Sequence, residues 1–191
     1  MKYVLLLFIL TATKSFSQAD DSFAKHTAGL IGSYSIFLGD YGATYNNAPG
    51  IGLSYEYRNV KEFSFGGQVS FQRWGDVRNG NAQYPNNQYL DDFKFAGFAK
   101  AFIDAPEGYD AYFGLGLSYN SIDFINDIAQ GNNKYLRYSS NDGVLGIDGF
   151  FGANTAVYDN IKVGAKANLG WLNLQNSAFY VSFEFGVYYG F

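Results

Sequence analysis

The chain has 191 residues, a formal net charge of −4 and no cysteine, so it can form no disulfide bond and no lipid-modified N-terminal cysteine. An acidic chain with no basic cluster is a poor partner for nucleic acid. No stretch approaches the roughly 18 consecutive apolar residues of a helical membrane span. With 17 Tyr, 19 Phe and 23 Gly but only 3 Pro, the composition favours an all-β wall over a helical domain.

The N-terminus has the features of a secretory signal peptide. Lys2 is basic, residues 4–10 (VLLLFIL) form a short apolar segment, and the small residues Ser15 and Ser17 occupy the −3 and −1 positions of a cleavage site. We predict a signal peptide over residues 1–17. Residues 18–191 are then predicted to form one domain.

Eight segments alternate apolar residues with small or polar ones, which is the periodicity of a β-strand with two different faces. In chain order, the predicted strands are 28–38, 50–58, 63–74, 93–103, 109–120, 143–154, 161–171 and 179–191. Pro49, Pro85 and Pro106 all fall between these segments, where a missing N–H costs no ladder hydrogen bond.

The last predicted strand, 179–191, has the clearest alternation. Its apolar face consists of Phe179, Val181, Phe183, Phe185, Val187, Tyr189 and Phe191. A strand that crosses a membrane needs about 9–11 residues with this apolar and polar alternation. We therefore predict that this strand closes a membrane-spanning barrel.

The predicted connections alternate in length along the chain. Long loops are predicted at 39–49, 75–92 and 121–142, tight turns at 59–62, 104–108 and 156–160, and a medium loop at 172–178. Outer-membrane barrels have short periplasmic turns, longer external loops and periplasmic termini. The pattern predicts an eight-stranded antiparallel up-and-down β-barrel of this kind. The start of the longest loop could form a short helix or extend its hairpin beyond the membrane.

Charged residues of both signs fall on the predicted inward face of the barrel. They are Glu56, Lys94, Lys100, Asp148, Lys162, Lys166 and Glu184. Eight strands leave an interior just wide enough for side chains to fill it. Because unpaired buried charge is costly, we expect these residues to form ion pairs that fill the lumen. The alternative is a narrow polar pore lined by lysines.

Residues 179–191 and the eight alternating segments resemble the small outer-membrane β-barrel proteins of the OmpA-transmembrane-like and OmpW-like group. The residues that resemble the terminal-strand assembly signal of such barrels are Phe183, Phe185, Val187, Tyr189 and Phe191. The resemblance implies contact with outer-membrane lipid and lipopolysaccharide, and with the barrel-assembly machinery. Residues 15–18 (SFSQ) are similar to the signal-peptide ends of Bacteroidetes precursors.

The sequence offers no set of residues for catalysis, for a cofactor or for a metal. Some barrels of this size modify lipids with a serine and a histidine near the outer surface, and a nucleophilic serine needs a base within hydrogen-bond reach. The single histidine, His26, precedes the first strand at the predicted periplasmic end. We therefore expect a structural or interaction protein whose long loops contact another outer-membrane protein complex. Transport of a small solute is the alternative, and lipid modification is a third hypothesis.

Overall fold

The computed structural model describes residues 24–45, 47–75, 87–103, 109–129, 135–174 and 177–191. The predicted signal peptide and its cleavage site lie outside these residues. The predicted turn 104–108 and much of the predicted loop 75–92 lie outside them as well.

The described residues form one closed antiparallel barrel in which each strand pairs with its neighbours in sequence, and the last strand pairs with the first. The predicted eight-stranded fold is confirmed. The strands are β1 (His26–Leu38), β2 (Ala48–Val60), β3 (Phe63–Trp74), β4 (Asn87–Ile103), β5 (Tyr109–Ala129), β6 (Tyr135–Tyr158), β7 (Ile161–Leu172) and β8 (Ala178–Gly190). A short helix, α1 (Gly39–Thr44), follows β1. No described helix is long and apolar enough to cross a membrane.

The period-two alternation becomes two faces of the barrel wall. In β8, Phe179, Phe183 and Phe185 are exposed on the outside, while Tyr180 and Glu184 are buried inside. A strand can present these two faces because successive side chains point to opposite sides of a sheet. The same alternation on all eight strands gives an apolar exterior and a polar, tightly filled interior.

The first connection differs from its prediction. Residues 39–49 were expected to form a loop, but they contain α1, and β2 already begins at Ala48. Pro49 therefore lies inside a strand, next to Tyr34 of β1. The β2–β3 ladder begins one residue later, at Gly50. A proline is tolerated there because it sits at the start of a strand.

Three strands extend furthest beyond their predicted bounds. β4 begins at Asn87, β5 continues to Ala129 and β6 begins at Tyr135, so most of the predicted loop 121–142 is a tall hairpin. Of the two alternatives for this loop, the extended hairpin is confirmed. The prediction ended these strands early because their outward residues become polar at this height while their pairing continues.

Candidate functional site

The outer surface of the barrel carries a belt of exposed apolar side chains. On β5 alone, Phe113, Leu115, Leu117 and Tyr119 point outward and are at least half exposed. A monomer in water rarely exposes a continuous apolar surface of this extent. On one wall the belt ends at a polar row of cross-strand neighbours on four adjacent strands. This row consists of Arg73, Asp91, Asp123 and Asn141.

The polar row is held by direct side-chain contacts. Arg73 donates two hydrogen bonds to Asp91, at 2.6 and 2.7 Å. Asn141 Nδ2 donates to Asp123 Oδ1 at 2.5 Å and to Ser121 Oγ at 3.0 Å. Above this row β4, β5 and β6 continue as a three-stranded sheet, which we call the tall sheet. It lies at the end of the barrel opposite the tight turns.

The lumen below the tall sheet contains an ion pair between β4 and β6, the two neighbours of β5, and a tyrosine of β8 contacts it from the opposite wall. Lys94 Nζ donates to Asp148 Oδ2 at 2.6 Å and to the Tyr180 hydroxyl at 2.8 Å. Tyr180 in turn donates to the other oxygen of Asp148. All three side chains are buried. The three groups satisfy one another, as burial of charge requires.

The middle of the lumen holds two further pairs. Lys100 pairs with Glu56, which also accepts a hydrogen bond from Ser64 at 2.7 Å. Lys166 lies 2.9 Å from Glu184. The other Glu184 oxygen accepts a hydrogen bond from Asn168 at 2.6 Å. Polar side chains thus surround each carboxylate and add to the pairing with lysine.

The lumen near the tight turns has a carboxylate between two cations. Asp110 lies 2.5 Å from Lys162 Nζ and 2.9 Å from Arg58 Nη1. The Arg58 guanidinium also lies over the Phe102 ring, 3.6 Å from its centroid. Sequence reasoning named Lys162 and missed both partners. Arg58 lies two residues after Glu56 and therefore faces the lumen too. The alternation along β2 could have identified it.

The structure thus brings all seven predicted lumen residues into ion pairs with inward-facing partners. Asp92, which the sequence analysis did not name, is also buried on the inward face of β4, two residues before Lys94. No ion pair is formed by Asp92 among the described residues. Its Oδ1 atom is buried without a hydrogen-bond partner within the same part of the chain. Asp92 therefore differs from every other buried acid in this lumen.

An apolar layer closes the lumen at the end that carries the tall sheet. Every strand contributes an inward residue to this layer, which we call the aromatic cap. Its members are Phe37, Ala48, Trp74, Leu90, Ile122, Val144, Leu172, Leu174, Ala178 and Tyr180. Phe37 and Trp74 stack with their ring centroids 3.8 Å apart. Since all eight strands contribute, the cap spans the whole cross-section of the barrel.

Two tyrosines lie against the aromatic cap from α1 and the residue after it. Tyr41 and Tyr45 are partly buried and stack on each other with centroids 6.5 Å apart. Burial raises the pKa of the Tyr45 phenol, and the nearby Tyr41 adds to the shift.

At the opposite end of the barrel, His26 and Phe191 join the start of β1 to the residue after β8. Their backbones exchange two hydrogen bonds, of 2.9 and 2.8 Å, and their rings stack with centroids 5.6 Å apart. His26 Nδ1 also lies 2.7 Å from the Tyr55 hydroxyl. No group of three or more potential metal-ligating side chains occurs in the described residues.

The residues that resemble a terminal-strand assembly signal all lie on the outer wall of the barrel or at its end near the tight turns. Phe183, Phe185, Val187 and Tyr189 are exposed on the lipid-facing side of β8, and Phe191 is partly buried against His26. Their role in assembly stays a prediction. The Bacteroidetes likeness of the signal-peptide end also stays a prediction.

No protein-family model matches this sequence. No curated protein matches it either. Solved structures do match. Neisserial surface protein A aligns with a TM-score of 0.58 and 15% identity, over 88% of this chain and 98% of that one. Ail of Yersinia pestis aligns with a TM-score of 0.57 and 16% identity, over 88% and 99%.

The outer membrane protein OprG of Pseudomonas aeruginosa aligns with a TM-score of 0.55 and 13% identity, over 88% of this chain and 97% of that one. The fold is that of the small eight-stranded outer-membrane β-barrels. At these identities the likeness covers the arrangement of the strands. It transfers no residue role to this barrel.

Proposed function

We propose that this barrel is an integral outer-membrane protein whose tight turns and described chain ends face the periplasm. The apolar belt supports this location, because lipid can cover a wall that water would not tolerate. Closure supports it as well, since no backbone group within the belt is left at an open sheet edge. The orientation rests on the tall sheet, because outer-membrane barrels place their longer connections outside the cell.

The role that the geometry supports best is a structural and protein-interaction function, with the tall sheet as the interaction surface. The observation that carries this proposal is the continuation of β4, β5 and β6 beyond the polar row. Ser139 and Ser140 are exposed there, as are Asn141 in the row and Asp142 just below it. Ordered, exposed strands beyond the lipid are more than membrane insertion needs. The likeness to Ail, an attachment invasion locus protein, is compatible with an external contact role.

The filled lumen argues against the transport alternative. Each of the four inward lysines is paired with a carboxylate, so none is available to line an open pore. The aromatic cap adds an apolar layer across the path. We expect no solute-dependent conductance when the purified protein is inserted into planar bilayers. Discrete, solute-dependent current steps would favour the pore instead.

The surroundings of His26 argue against lipid modification. Its ring contacts Tyr55, Tyr57 and Phe191, and no serine is among the partners described for it. It also lies at the end opposite the tall sheet. An unchanged lipid A profile after deletion of the gene is the expected result, and loss of a lipid modification would support an enzyme.

We also propose partners for the outer surface of the barrel and for its insertion into the membrane. Lipid and lipopolysaccharide would cover the apolar belt, and the barrel-assembly machinery would insert the chain. A structure of Ail in complex with a heparin analogue, sucrose octasulfate, also matches, with a TM-score of 0.51 and 17% identity over 87% of this chain and 98% of that one. We do not extend a polysulfated ligand to this barrel, because the exposed Asp142 and the neighbouring Asp123, at the base of the tall sheet, are acidic.

Labelling of single cysteines tests location and orientation together, because the chain has no cysteine of its own. Ser140→Cys places a thiol on the tall sheet, and Asp159→Cys places one in the exposed tight turn between β6 and β7. In intact cells a membrane-impermeant maleimide should label the first and not the second, and both should be labelled after lysis. Labelling of Asp159→Cys alone would show that the barrel has the opposite orientation in the membrane. Recovery of both variants in the soluble periplasm would overturn the proposal.

A further inference from the structure

The upper part of β6 lacks a neighbour on one side. The ladder between β6 and β7 reaches Gly146 and Leu172, and one more bond joins Asn173 N to Leu145 O at 2.9 Å. Above this point β6 continues over residues 135–144 and pairs with β5 alone. Within the described ranges, no strand pairs with its other edge there.

The connection after β7 turns away from this edge. Ser177 has a φ of 44°, and its N–H donates to the Leu174 carbonyl at 2.9 Å. Leu174 is buried in the aromatic cap, so at this residue the chain lies over the mouth of the barrel and not along the edge of β6. The packing of Leu174 thus takes the chain away from this edge.

The direction of the backbone groups follows from the last β6–β7 contact. Leu145 turns its carbonyl toward the β7 side, and alternate residues of a strand turn their backbone groups the same way. Gly143, Asn141 and Ser139 therefore direct their N–H and C=O groups to the open side. All three residues are exposed. An edge of this kind is a template for another extended chain.

We propose that the open edge of β6 binds an extended, basic segment of an external protein by strand addition. This proposal rests on the proposed function, which places the tall sheet outside the cell. Main-chain hydrogen bonds would supply affinity, and side-chain contacts would supply selectivity. The edge has no wide apolar surface in the described residues, which favours an extended chain over a helix.

The preference for a basic segment follows from charge. Asp123 on the neighbouring β5 and the exposed Asp142 on β6 are acidic. Asn141 donates a hydrogen bond to Asp123 but, as a neutral amide, does not cancel its negative charge. The Arg73 side chain at the far end of the polar row already pairs with Asp91. Opposite charge on the arriving segment would raise the rate of encounter and favour the correct partner.

A second copy of this chain fits the edge less well. Two barrels inserted the same way, related by a two-fold axis along the membrane normal, keep the same strand direction. Their β6 edges would then meet in parallel, whereas a free segment can continue the antiparallel sheet. Two copies would also bring like acidic charges together.

The test uses the full barrel refolded in lipid nanodiscs, with a short capped peptide of alternating lysine and valine as the probe. Alternating glutamate and valine is the control peptide. Ser139→Pro removes one N–H from the open edge and no bond to β5, while Ser139→Ala keeps that N–H and removes the same hydroxyl group. Wild type and Ser139→Ala should bind the lysine peptide with slower hydrogen exchange at the Asn141 and Gly143 amides. Ser139→Pro should bind about tenfold more weakly.

Three results would overturn the proposal. They are unchanged exchange at the Asn141 and Gly143 amides at saturating lysine peptide, equal affinity of Ser139→Pro and Ser139→Ala, or equal binding of the glutamate peptide. Concentration-dependent dimers that Ser139→Pro abolishes would assign the edge to a second copy instead. The cysteine-labelling experiment separates these failures from failure of the proposed function, because labelling depends on location alone.

Discussion

Lys94 and Asp148 lie 54 residues apart in the chain, on the two strands that flank β5, and meet inside the lumen at 2.6 Å, with both side chains buried. Removing one partner of a buried ion pair leaves an uncompensated charge, which typically costs about 3–5 kcal/mol. We predict that Asp148→Asn lowers the free energy of unfolding by an amount in this range. Urea unfolding in lipid vesicles, followed by Trp fluorescence, measures the change.

A double variant distinguishes an uncompensated charge from a packing defect. Lys94→Met removes the ammonium group and keeps an unbranched chain of similar length. The double variant Lys94→Met/Asp148→Asn should be less destabilised than Asp148→Asn alone. If the two substitutions add without coupling, then the pair does not account for the cost.

For Asp92, which lies two residues before Lys94, we predict the opposite effect on stability. Its carboxylate is buried, and its Oδ1 atom has no hydrogen-bond partner within the described part of the chain. A buried charge without a partner is costly, and an isosteric amide carries no charge. Asp92→Asn should therefore leave stability unchanged or raise it by about 1 kcal/mol. Destabilisation similar to that of Asp148→Asn would mean that the Asp92 charge has a partner in the membrane.

The sequence specified the two faces of the wall better than the ends of the strands. Alternation identifies Lys94 and Glu184 as inward residues because a strand has only two faces. It says nothing about which charges meet, since Lys94 and Asp148 lie on β4 and β6, and the register of both strands with β5 decides that the two residues come together. The top of β5 was missed because Asp123 interrupts the apolar outer face, although the strand pairs with β4 and β6 beyond it.

His26 and Phe191 give a prediction about closure of the barrel. Their rings stack and their backbones exchange two hydrogen bonds where β1 meets the end of β8. Phe191→Ala removes the stacking partner and one residue that resembles the assembly signal, so we expect slower insertion into outer membranes. His26→Ala removes the stacking and the contacts with Tyr55 and Tyr57 but keeps every residue that resembles the assembly signal, so its effect should be smaller. Pulse-chase with heat-modifiability on gels reads the folded fraction, and equal delays for both variants would assign the effect to the contact between the two rings and not to the resemblance to the assembly signal.

The position of the lipid boundary is tested on one face of β5. Leu117 points outward within the apolar belt, and Ser121 points outward two positions further along that face, next to the polar row. An arginine facing lipid near the middle of the bilayer costs about 2–4 kcal/mol, and near the interface about 0–1 kcal/mol. Leu117→Arg should therefore destabilise the barrel in vesicles much more than Ser121→Arg does. Equal costs would move the boundary away from the polar row.

The two tryptophans allow the aromatic cap to be tested directly. Trp74 is buried inside the cap, stacked on Phe37. Trp171 points outward on β7, between Phe179 and Ile147 of the neighbouring strands. In Trp171→Phe the remaining fluorescence comes from Trp74, and it should resist quenching by both aqueous acrylamide and brominated lipid.

In Trp74→Phe the remaining fluorescence comes from Trp171, which brominated lipid should quench strongly because that side chain faces the bilayer. Each variant keeps one of the two tryptophans, so the two variants serve as folding controls for each other. Strong acrylamide quenching of Trp74 would mean that water reaches the lumen through the cap. The closed lumen would then be wrong, and the narrow pore would become the better account of the inward lysines.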